Sequence, residues 1–164
     1  MRILPGALIA VTLFATPAFA QQAPPAAAES ARPARGASHH VILCGSGGEA
    51  EYSPIFREWG TRLKNVLALR LGAAPENIAI LMEPETASAP AGTSISLETI
   101  QALFKGLAHS VTPEDDVFIY LIGHGSYLKN ASKFEIPGPD LSADAFEAML
   151  AELPAKHIVV IDGT

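Results

Sequence analysis

Residues 117–128 read VFIYLIGHGSYL. Six apolar residues, Val117 to Ile122, run without a break and stop at Gly123-His124-Gly125. Continuous apolar runs mark strands buried on both faces, whereas half-wet strands alternate. The stretch therefore predicts a central strand of a parallel sheet, with an ionisable ring at its carboxyl end.

The flanking sequence fits that sheet. HHVILC (39–44) is a short apolar run ended by the glycine-rich GSGGE. Ser53-Pro54 then opens a helix, with serine as N-cap and Ile55, Phe56, Trp59, Leu63, Val66 and Leu67 on its inner face; Gly72 ends it. NIAILM (77–82) is a second strand, followed by a loop over 85–95. Leu97, Ile100, Leu103, Phe104, Leu107 and Val111 give a second inward helical face, and Thr112 to Asp116 a turn. After Gly125 a polar excursion holds KFEIPGPD, read as a small hairpin. Ser142 caps a third helix with Phe146, Met149, Leu150 and Leu153 inward, and HIVVID (157–162) is the fourth strand. The order β-α-β-α-β-α-β predicts a doubly wound three-layer α/β/α sandwich on a mostly parallel sheet.

The chain has 164 residues, 49% of them hydrophobic, enough for one domain with one core. Its net charge of −6, without a basic stripe, argues against nucleic acid as a partner. Residues 1–20 combine Arg2, an apolar stretch from Leu4 to Phe14 and the small-x-small Ala18-Phe19-Ala20. They read as a signal peptide of an exported, periplasmic or secreted protein, with no integral span left after cleavage. Residues 21–37, rich in alanine and proline, read as a disordered tether before a domain over 38–164. Cys44 is the single cysteine, so an internal disulfide is excluded; a buried small hydrophobe is its first reading and a stand-in nucleophile its second.

In parallel sheets ligands bind beyond the carboxyl ends of the strands. Three glycine-containing exits share that rim: Gly45-Ser46-Gly47-Gly48, Gly123-His124-Gly125 and Asp162-Gly163-Thr164. A histidine there can serve as general acid or base. The glycines admit a close backbone, and the Gly125 amide can donate to a developing oxyanion. The bland alternative is a histidine that merely caps a loop. His39 and His40 read as a solvated pair, His109 as a cation at a helix end, and His157 as the start of a strand. No ligand spacing for a metal appears, and no cofactor is expected. A loose nucleotide fingerprint (Gly45, Gly47, Ala50, then Glu83) gives a minor dinucleotide reading. Against it stand a helix start several residues late and an acid too far downstream.

With VFIYLIGHGSY (117–127), KFEIPGPDLSADAF (133–146) and HIVVIDGT (157–164), the sequence from about residue 39 onward resembles the caspase-like cysteine peptidases, their legumain-like branch above all. The resemblance implies a caspase-like sandwich and peptide-bond hydrolysis. His124 matches the histidine that protonates the leaving amine, and Gly125 the oxyanion donor. The exit at Gly45, Ser46, Gly47 and Gly48 matches the wall of the substrate pocket, which Asp162 joins. Thr164 falls at or beside the position of the nucleophilic cysteine. More strands and helices follow this exit in the family. The sequence thus reads either as truncated or as a diverged homologue without the standard nucleophile, and a non-catalytic scaffold that binds a peptide or protein partner is the rival function.

Overall fold

The structure, a computed structural model, describes residues 36–49, 51–84 and 93–164. The proposed signal peptide, most of the tether, Ala50 and most of the 85–95 loop lie outside the described residues.

Four strands form a parallel sheet in the order β2-β1-β3-β7: β1 Ser38–Cys44, β2 Ile78–Met82, β3 Asp116–Ile122 and β7 His157–Gly163. Their registers pair Val41 with Ile119 and Ile119 with Val160. Helix α1 (Tyr52–Leu69) follows β1, α2 (Leu97–Ser110) follows β2, and α3 (Ala143–Ala151) precedes β7. Between β3 and α3 a second, antiparallel sheet is inserted, made of β4 (Gly125–Leu128), β5 (Ala131–Phe134) and β6 (Leu141–Ser142). The hairpin expected in the excursion after Gly125 is β4-β5, and most of KFEIPGPD follows it. Lys129 and Asn130, both with positive φ (53° and 61°), make its two-residue turn, whose hand matches the twist of the strands it joins.

Helices cover both faces of the main sheet. Val41, Leu43, Val117, Ile119 and Leu121 pack with Ile100, Phe104 and Leu153 on the face of α2 and α3. Ile42, Cys44 and Ile78 pack with Phe56 and Leu67 on the face of α1. Full burial on both faces holds for β1, where Val41 to Cys44 are all buried, but not for β3, whose burial alternates. Edge strand β7 is largely exposed. On the face of α1, the reason is the position of that helix. A Cβ on Gly60 would overlap Cys44 Sγ, so the helix comes down closely over β1. Its contact line runs Phe56-Gly60-Leu63-Leu67, and Ile55, Trp59 and Val66 are left on an exposed flank. Burying Phe56 and Leu67 contributes about 1.5–3 kcal/mol each.

The caps follow the sequence only in part. Ser96 and Thr99 form a capping box on α2, and Ser142 Oγ accepts from the Ala145 N–H on α3. Ser53, expected to cap α1, lies inside it; Glu51 is the N-cap residue and makes no side-chain cap bond. Ser53 instead donates its hydroxyl to the Glu83 carboxylate, tying the first turn of α1 to the exit of β2. Gly72, with φ of 71°, turns the chain after α1 as its composition suggested. No helix among the described residues is long and apolar enough to cross a membrane.

At the amino end of the sheet, the turn before β3 clamps the neighbouring strand starts. Asp115, 6% exposed, accepts from the Ala37 N–H (2.6 Å) and the Thr112 N–H (2.8 Å). Its carbonyl accepts from the Lys156 N–H at 2.7 Å. The tether boundary therefore shifts: Gly36 and Ala37 pack on this turn and belong to the domain.

Candidate functional site

The parallel registers bring the exits of β1, β3 and β7 side by side, and the glycines decide how closely. Gly45 donates its N–H to the Ile122 carbonyl (2.9 Å), and Ser46 donates to the Glu135 carbonyl (2.9 Å). A Cβ on Gly45 would stand 2.8 Å from the Phe134 ring, and one on Gly123 would stand 2.9 Å from it. Both glycines therefore make room for Phe134, a buried residue of the inserted sheet. A Cβ on Gly47 would overlap the Ser53 backbone and hydroxyl. These close approaches are filled by the protein's own chain. Gly48, with φ of 65° and open space around it, is the exception. The dinucleotide reading loses its geometry for the same reason: Ser53 occupies the space above Gly47, and the Glu83 carboxylate is engaged by Ser53.

Gly125 sits differently. The Glu135 N–H donates to the His124 carbonyl at 2.9 Å, which makes Gly125↔Phe134 a non-hydrogen-bonded pair of the antiparallel ladder. The Gly125 N–H is thus turned away from β5. A Cβ on Gly125 would lie 2.9 Å from Thr164 Oγ1, so the threonine hydroxyl rests on this glycine. The Thr164 N–H donates to Asp162 Oδ1 at 3.1 Å. Gly125, Asp162 and Thr164 together line a cleft of about 460 Å³ whose apolar wall is Leu121, Leu141 and Phe146. Lys133 borders it and pairs with Asp140 at 3.7 Å.

His124 lies on the α1 side of this rim. Its ring meets Tyr52 edge-to-face (centroids 5.1 Å, 81°) and Phe56 likewise (5.1 Å, 77°). Neither ring nitrogen has a hydrogen-bond partner among the described residues. The other four histidines all have polar neighbours. His39 Nε2 is 3.5 Å from Asp115 Oδ2, within ion-pair range but without hydrogen-bond geometry. His40 Nδ1 is 3.3 Å from the Tyr120 hydroxyl, with its ring stacked on Phe118. His109 Nδ1 is 2.6 Å from the Lys105 carbonyl, and His157 Nδ1 is 2.7 Å from Asp116 Oδ1. His39 and His40 are therefore not a solvated pair: both lie within β1, and His40 is 8% exposed. Burial, with His39 alongside, holds the His40 imidazole below its ordinary range.

Cys44 is removed from the chemistry. It is 1% exposed beneath Gly60, and burial pushes its thiol up to about 12. A thiol that cannot ionise near neutrality is a poor nucleophile. No group of three or more histidine, cysteine or acidic side chains arranged to hold a metal occurs among the described residues.

Of the residues named from sequence, the structure thus gathers Gly125, Asp162 and Thr164 in one cleft, leaves the His124 ring outside that lining against α1, and commits Gly45, Ser46 and Gly47 to packing. Tyr52, Phe56 and the cleft wall were not foreseen. The signal for the first two was present as an aromatic pair one helical turn apart at the start of α1. The sequence matches no protein-family model and no curated protein.

Proposed function

We propose that this chain is an exported peptide-bond hydrolase of the caspase-like type, with His124 as its proton carrier. One observation carries the reading. Among five histidines, His124 alone stands at the carboxyl rim with neither nitrogen bonded to any described residue, next to a glycine whose N–H is free of its ladder. In this reading the Gly125 amide stabilises the oxyanion of the tetrahedral intermediate. His124 takes the proton of the attacking hydroxyl and gives it to the departing amine, and water then releases the acyl group. The Thr164 hydroxyl occupies the nucleophile's position, and the cleft beside Asp162 receives the substrate side chain.

A second reading is supported by the chemistry of the nucleophile. Threonine stands where the caspase-like resemblance would put cysteine, and the chain's own cysteine is buried. The same rim would then hold a peptide without cutting it. Incubation of the protein with unfolded casein, followed by mass spectrometry of the fragments, separates the two. Fragments formed by the wild type and lost with His124→Ala support hydrolysis. Casein retained intact on the immobilised protein supports the scaffold.

A further inference from the structure

A general acid–base histidine is usually oriented by a carboxylate or carbonyl that takes one of its two nitrogens. His124 has no such partner among the described residues. It has two rings instead. Tyr52 and Phe56 sit one helical turn apart, 6.2 Å between centroids, and both meet the imidazole edge-to-face. Such contacts are directional, because the edge and the face of an aromatic ring carry opposite partial charge.

The two rings are themselves held. Phe56 is 5% exposed and braced by Trp59 at 6.1 Å. On the other side of the same turn, the Ser53 hydroxyl is bonded to Glu83, and Gly47 packs against the Ser53 backbone. The exits of β1 and β2 thus tie down the first turn of α1, and that turn presents an aromatic wall to the exit of β3.

We propose that Tyr52 and Phe56 are positioning residues for His124: they fix the direction of the imidazole while leaving both nitrogens available to substrate. The contact belongs to the Tyr52 ring and not to its hydroxyl. Tyr52→Phe therefore keeps it and Tyr52→Ala removes it. The activity arm of the test rests on the hydrolase reading above; the orientation arm does not.

The experiment uses the full chain with ¹³C-labelled histidine, and compares wild type, Tyr52→Phe, Tyr52→Ala and Phe56→Leu by NMR after a thermal melt confirms folding. In the wild type and Tyr52→Phe, the His124 ring protons show nuclear Overhauser contacts to residues 52 and 56 and one side-chain rotamer. In Tyr52→Ala, where the lost side chain is partly exposed and folding is retained, the ring averages over rotamers. In parallel, casein turnover falls roughly ten-fold in kcat with little change in KM for Tyr52→Ala, and Tyr52→Phe rescues it. A His124 rotamer unaltered by Tyr52→Ala, or absent ring contacts in the wild type, overturns the proposal. Loss of all turnover in the wild type with the NMR contacts intact refutes the hydrolase reading and leaves the positioning role standing.

Discussion

The two ends of the parallel sheet use histidine in opposite ways. At the amino end, His39 and His157 lie against Asp115 and Asp116, and His40 is buried on Phe118 with Tyr120 at its nitrogen. At the carboxyl end, His124 is held by rings and, among the described residues, pairs with no acid. The first arrangement commits carboxylates and imidazoles to links between strand starts. The second leaves reactive atoms unspent at a rim lined by exits of three strands. The difference teaches that a histidine's role is legible in what its nitrogens touch more than in its burial.

The comparison can be broken first at the amino end. Asp115→Ala strands the Ala37 and Thr112 N–H groups and the nearby His39 ring. We expect a loss of about 3 kcal/mol in urea unfolding, with the rim's chemistry unchanged. A loss below about 1 kcal/mol would mean that the clamp contributes little.

At the carboxyl end the largest stability effect belongs to a glycine. Gly45→Ala drives a methyl into the Glu135 carbonyl and the Phe134 ring. Overpacking of this kind costs about 2 kcal/mol, read from the same unfolding curves. If Gly45→Ala is instead neutral in stability and alters only peptide binding, the exit glycines serve a ligand after all.

A smaller effect is the pH dependence. His40 titrates below its ordinary value in the folded state because of burial, with His39 adding to it. Below about pH 6.5 the unfolded chain therefore binds a proton that the folded chain refuses, so stability falls as pH drops, by at most about 1.4 kcal/mol per unit. The Thr112 N–H, against the opposing pull of burial, holds the Asp115 carboxyl below the usual range. Its stabilisation is present above about pH 3.9 and is lost as pH falls through its depressed value, a second and more acidic step. His40→Gln removes the first step and keeps the second.

Much of the architecture was legible in the sequence because it rests on local patterns. The apolar runs gave the four parallel strands, and Ser142 marked the start of α3. What failed depended on distance in the chain. Ser53 looked like a cap, but its hydroxyl goes to Glu83, thirty residues on. Trp59 and Ile55 fit a helical stripe, but Gly60 draws α1 down onto Cys44 and turns them outward. Gly45 and Gly123 looked like room for a ligand, and Phe134 from the inserted sheet fills it. His124, Gly125 and Thr164 lie at strand exits, where the sequence placed them; the aromatic wall behind His124 was not foreseen, since α1 lies far from β3 in sequence.

The most direct test of the account replaces each histidine with glutamine in turn and measures urea stability and casein cleavage side by side. The account predicts that His124→Gln abolishes cleavage with a stability change within about 0.5 kcal/mol, while His39→Gln and His40→Gln lose stability and keep cleavage. Cleavage retained by His124→Gln, or a stability loss there equal to that of His40→Gln, would contradict it.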